Sequence, residues 1–244
     1  LGQVALDVLA EMAGPSFMQH IINYVTEYLG GAMLPGDQSV AIRHVMWVTL
    51  LWAGGCFGLG TVLWDFIVRK SDTFPASLRI AGAFALGAGM VSTLALLLGL
   101  AGMLSGFTSW LTIGGGLVIA VLLLLRRLKS PSNANAGFAW WVMSLAVVAG
   151  IVLVACFVPP GALWADQEPN GYDVVSYHFQ VPREWYEAGR IDPLHHNVYS
   201  FFPFGMEMHY LLSMHLNDGV YAGMYVAQLM HAVMMAMSVV AVHG

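Results

Sequence analysis

Long apolar runs fall at about 44–66, 78–104, 107–125 and 138–158, and a fifth begins near 219 and continues to the last residue. About 20 apolar residues in a helix cross the roughly 30 Å of bilayer hydrocarbon, so the pattern predicts an all-α, polytopic membrane protein with about five transmembrane helices. Only "LSGFTS" separates the second run from the third, which predicts a tight helical hairpin. Gly54, Gly58, Ala85, Gly89, Ala95 and Gly99 recur at small-xxx-small spacing. Such a stripe lets helix backbones approach where lipid supplies no hydrophobic drive.

Between and before these runs the periodicity changes. Residues 1–43 set Asp7, Glu11, Gln19, Asn23 and Glu27 among apolar residues three to four apart, with Gly14-Pro15 dividing two segments. That is the pattern of interfacial amphipathic helices. In the stretch 159–218, Val174, Tyr177, Val181, Trp185 and Ala188 share one helical stripe, and Ser176, Gln180, Arg183, Glu184 and Glu187 lie off it. A helix lying along the membrane surface follows, with Trp and Tyr at headgroup level. Pro182 kinks it or starts a second piece, giving 173–181 and 182–188, and Gly189 stops it. Pro203 opens another helix, with Glu207 in its first turn and Phe204, Met208, Leu211, Leu212 and His215 on one face.

Composition agrees with this class: 58% of the 244 residues are hydrophobic and 9% charged, with mean hydropathy +0.71. Six of the nine basic residues (Arg69, Lys70, Arg79, Arg126, Arg127, Lys129) lie in the loops after the first and third runs. By the positive-inside rule that side is cytoplasmic. Residues 159–218 are then external, with the inner membrane of a bacterium as the expected location and a periplasmic loop. The net charge of −5 is dispersed, without the basic patches that track a phosphate backbone, so nucleic acid is not expected as a partner. Cys56 and Cys156 sit in separate apolar runs and read as core residues. The Ser/Asn-rich stretch 130–137 reads as a cytoplasmic linker between a three-span module, 44–129, and a second module, 138–244. Both ends look cut, which leads us to expect a longer polypeptide.

Scarce charge is concentrated at "GYDVVSYHFQVPREWYEAGR", residues 171–190, and five of the nine histidines (His178, His195, His196, His209, His215) lie in the same external stretch. An inside-to-outside span leads to "YDVVSYH", then P-x-x-W, G-R, "NVYSFFP", P-x-x-x-E and a further span. This order resembles the first external loop of GT-C fold membrane glycosyltransferases, particularly the group of protein O-mannosyltransferases and lipid A aminoarabinose transferases. The resemblance covers about 138–244, the N-terminal part of such an enzyme. The three spans before the linker depart from the simplest family pattern, and the later spans are missing.

The resemblance implies transfer of a sugar from a polyprenyl-phosphate carrier to an acceptor hydroxyl on the external face, with Asp173 at the position of the family's loop aspartate. A carboxylate there takes the hydroxyl proton as the oxygen attacks the anomeric carbon. His178 and Glu207 join it as candidate catalytic residues, and Arg183 and Arg190 are candidates for the leaving phosphate. Other readings stay open at each position. Asp173 also suits an N-cap, Glu207 a first-turn charge facing the helix dipole, and the arginines lipid headgroups. His195-His196 has no carboxylate at defined spacing, so no metal site is assigned. No cofactor is assigned either, which leaves a divalent metal open. Expected partners are membrane lipid, the polyprenyl-phosphate-linked sugar and other membrane subunits. The alternative function is a non-catalytic accessory subunit of a larger membrane complex.

Overall fold

A computed structural model of the protein describes residues 42–68, 74–128, 141–158 and 172–243. The interfacial helices expected within 1–43, the linker 130–137 and the start of the external stretch lie outside or largely outside them. Among the described residues every regular element is a helix. In order they form α1 (Ile42–Ile67), α2 (Ala76–Leu100), α3 (Gly106–Leu128), α4 (Trp141–Ala155), a π-helical turn (Val174–His178), α5 (Gln180–Ala188), a 3-10 turn (Val198–Phe201), α6 (Glu207–Asn217) and α7 (Val220–His243).

Four of these helices, α1, α2, α3 and α7, are long and apolar enough to cross a membrane. The fifth expected span appears as α4, whose 15 described residues are fewer than a crossing needs. Its C-terminal end is tied to α7 by Gln228, whose Nε2 donates to the carbonyls of Cys156 at 3.1 Å and Val158 at 3.0 Å. Those carbonyls have no partner inside the helix, so a side-chain amide from the neighbour satisfies them.

The hairpin expectation needs correction. α2 and α3 are joined by a short link, yet they touch each other little and both pack along α1. Two glycine faces on α1 explain this. On one, a Cβ at Gly58 would collide with the carbonyl of Gly116 of α3. On the other, a Cβ at Gly60 would collide with the carbonyl of Ala83 of α2, and one at Gly87 with that of Cys56. Backbone thus meets backbone on both sides of α1. The expected seam is only partly right, because Gly58 lies in it whereas a Cβ at Gly89 would meet nothing within 4 Å.

α6 is the second departure. One apolar face was expected, but every residue from Glu207 to Met214, and Leu216 as well, is buried. The helix is short and rich in polar groups, and it is enclosed by α2, α3, α5 and α7. His209 is fully enclosed: its Nδ1 accepts from the Trp52 indole of α1 at 3.3 Å, and it also hydrogen-bonds to the backbone of Ala88 of α2. The indole of Trp110 of α3 donates to the Leu216 carbonyl at 3.1 Å, and the Ser213 hydroxyl to the Gly223 carbonyl at 2.8 Å. Asp218, in the left-handed region at φ 50°, ends α6, and Gly219 N–H returns to the Met214 carbonyl at 3.0 Å. The chain then turns directly into α7, packed beside α6.

Candidate functional site

The break in the surface helix falls earlier than Pro182. Phe179 N–H donates to the Val174 carbonyl at 3.0 Å, an i→i+5 bond, and α5 starts one residue later. Pro182 is therefore in the first turn of α5, where a missing N–H costs nothing. Gly189 ends α5 at φ 71°, as its position in the sequence predicts.

The π turn decides what meets what. On an α-helix the same-face neighbours are three and four residues apart, so Asp173 and His178, five apart, would diverge. A wider i→i+5 turn narrows that divergence, and such turns are frequent at functional sites. Asp173 is exposed and helical at φ −61°, ψ −40°, and its side chain accepts no capping hydrogen bond. The N-cap reading of Asp173 is thereby overturned, because Tyr172 before it is already helical. Its carboxylate lies near the Tyr177 hydroxyl, and partial burial together with that negative charge raises the Tyr177 pKa above its ordinary value.

His178 and Glu207, 29 positions apart, come together with Nδ1 to Oε1 at 2.5 Å. The Glu207 side chain is 8% exposed and the His178 side chain 38%. A carboxylate buried at the first turn of α6 thus grips one ring nitrogen. Among the described residues none hydrogen-bonds to the ring's Nε2, the nitrogen left to meet a reactant. A stack of tyrosines forms one wall. Tyr177 lies on Tyr199 with centroids 4.4 Å apart and on His178 at 4.2 Å. The Tyr199 phenol has its pKa raised by the neighbouring Tyr172. Asn197 fixes the 3-10 turn that carries Tyr199, accepting from Tyr199 N–H at 3.2 Å and donating to the Ser176 carbonyl of the π turn at 3.0 Å.

Behind the pair, the Tyr210 hydroxyl lies 2.7 Å from Nδ1 of His231, midway along α7. Tyr210 also stacks on Phe179 at 4.9 Å. Burial, with the Glu207 charge adding, holds the Tyr210 hydroxyl firmly protonated.

Of the five residues singled out in the sequence, the structure joins His178 to Glu207 and places Asp173 beside Tyr177, which packs on His178. It does not bring the two arginines to them. Arg183 pairs with Glu187 at 2.8 Å along α5, and Arg190 with Asp192 at 2.7 Å beyond its end. His196 meets Glu184 at 2.9 Å, and among the described residues no group of three His, Cys, Asp or Glu side chains is placed to hold a metal. Tyr177, Tyr199, Asn197, Tyr210 and His231 were missed as site residues. The N-x-Y-S motif pointed to Asn197 and Tyr199, whereas nothing in the sequence near His231 tied it to Tyr210. No protein-family model, curated protein or solved structure matches the chain.

Proposed function

We propose that these residues form part of a membrane-embedded glycosyltransferase. It moves a sugar from a polyprenyl-phosphate carrier to an acceptor hydroxyl on the external face of the membrane. One observation carries the reading: a buried Glu207 fixes a half-exposed His178, and Tyr177, which packs on His178, lies beside Asp173. Such a cluster, beside His231 midway along α7, can hold and pass a proton.

In this proposal Asp173 takes the acceptor's hydroxyl proton while the oxygen attacks the anomeric carbon. The bond from that carbon to the phosphate oxygen breaks, and the electron pair leaves with polyprenyl phosphate. His178, held by Glu207, presents Nε2 to the sugar, and the Tyr177–Tyr199 stack offers an aromatic wall to its ring. Neither Arg183 nor Arg190 pairs with this cluster: each lies against an acid of its own stretch, Glu187 and Asp192. That arrangement favours the second reading, an accessory subunit, because the cluster itself brings no cation to a leaving phosphate.

Asp173→Asn in the full-length polypeptide separates the two readings. It should lower transfer from a polyprenyl-phosphate sugar by about 10²- to 10⁴-fold. Because Asp173 is exposed and caps nothing, thermal stability should hardly change. Full activity in this variant, together with full activity in His178→Gln, would rule out the catalytic reading.

A further inference from the structure

A groove of about 470 Å³ lies between α2 and the segment 191–205. We propose that it binds one zwitterionic phospholipid, with an acyl chain in the groove and the headgroup on the Arg190–Asp192 pair. The proposal rests on membrane embedding and not on sugar transfer.

The walls are Leu96 and Leu100 of α2, Trp185 of α5, and Phe201, Phe202 and Phe204. The polar groups that reach the groove are occupied. Ser92 donates to the Gly205 carbonyl at 2.6 Å, Thr93 to the Gly89 carbonyl at 2.8 Å, and the Trp185 indole to the Asp192 carbonyl at 2.7 Å. The interior therefore offers apolar contact and few free hydrogen-bonding groups, which suits a hydrocarbon chain and penalises a polar ligand. Leu96, Leu97 and Leu100 are exposed on a helix apolar enough to cross a bilayer, so the groove opens sideways onto the face that lipid would cover. Beside it Val198, Phe201 and Phe202 stand 67%, 61% and 52% exposed although they belong to no spanning helix. A patch of large apolar side chains outside the spans calls for a partner, and the boundary between headgroups and acyl chains supplies one.

The rim selects the lipid. Ile191 N–H donates to the Gly99 carbonyl at 3.0 Å, and Ile191 fills the space where a Gly99 side chain would lie. Residues 190–192 are thus pinned to the last turn of α2, where a spanning helix reaches the headgroups. There the Arg190 guanidinium and the Asp192 carboxylate sit 2.7 Å apart, both side chains about half exposed. The guanidinium has donors to spare for a phosphodiester, and the carboxylate can accept from an ammonium. A phosphoethanolamine headgroup carries these two charges side by side. Phosphatidylglycerol, or a polyprenyl phosphate, would bring only negative charge against Asp192.

The test uses the purified chain in nanodiscs containing equal fractions of phosphatidylethanolamine, phosphatidylglycerol and a polyprenyl phosphate, followed by native mass spectrometry of the lipid retained on release. Phosphatidylethanolamine should be retained over phosphatidylglycerol by about tenfold, equivalent to about 1.4 kcal/mol. Asp192→Asn should remove that preference, and Leu96→Trp, which fills the groove, should lower total retention by a similar factor. Asp192 is exposed enough for its variant to fold, so a failure of Leu96→Trp to fold would leave the preference test standing. Equal retention of the two phospholipids, or a preference that survives Asp192→Asn, overturns the proposal. So does polyprenyl phosphate held in place of phosphatidylethanolamine, since the groove would then belong to a carrier lipid. Sugar transfer is not read in this experiment, so its result is separate from that of the catalytic reading.

Discussion

Between α1 and its neighbours α2 and α3 the contacts that set the geometry are backbone on backbone, Gly58 against Gly116 and Gly60 against Ala83. Around α6 they pass through polar side chains instead: Trp52 to His209, Trp110 to Leu216, Ser213 to Gly223, His178 to Glu207 and Tyr210 to His231. Each region has the stabilisation its surroundings permit. Helices exposed to hydrocarbon gain nothing from hiding apolar surface and must approach closely enough for dispersion to act. A short helix buried on all sides must satisfy every polar group it carries, or lose about 1–3 kcal/mol for each one left without a partner. The first region should therefore be sensitive to added volume and the second to lost donors and acceptors.

The largest effect is expected in the seam. Gly58→Leu must push α1 away from α3, at a cost of about 3 kcal/mol or more, whereas Gly89→Leu, which meets open space, should melt near the wild type. Thermal unfolding in detergent compares them directly, and equal destabilisation by the two would remove the distinction between seam and lipid face.

The next effect is a pH dependence carried by His209. Burial pushes its pKa from 6.5 down to about 4, and the Ala88 backbone hydrogen bond opposes this in part. The folded protein holds the neutral ring while the unfolded chain gains a proton, so the contribution is complete above about pH 6.5 and is lost as the pH falls through about 4. The amount at stake is about 3 kcal/mol. The melting temperature should fall over that window, and His209→Gln should flatten the difference. A wild type and variant that track each other at every pH would show that His209 does not report on the packing of α6.

Smaller effects belong to the single contacts. Tyr210→Phe deletes the hydrogen bond to His231 and should cost about 1 kcal/mol, read as a lowered melting temperature with α6 still enclosed. Arg183→Ala removes an exposed i,i+4 pair on α5 and should stay within about 0.5 kcal/mol of the wild type. A larger loss there would mean that the loop layer depends on its surface charges as well as its buried polar contacts.

The sequence by itself determined the all-helical character and most of the helices. Apolar runs long enough to span hydrocarbon can hardly form anything but helices, because no water is present to satisfy an open backbone, and Gly189 could be read as a stop because it tolerates a left-handed turn. The motifs that resemble a glycosyltransferase loop singled out Asp173, His178 and Glu207, with no indication of how they meet. Only the tertiary structure decided that His178 reaches Glu207 across 29 positions. It also decided that a π turn rather than Pro182 re-aims the loop helix and frees Asp173 from capping, and that α2 and α3 part company to flank α1. Periodicity reports which residues share a face within one helix. It carries no information on which face of another helix will meet them, nor on a single widened turn, and those depend on the shape and hydrogen-bonding needs of neighbours far away in the chain.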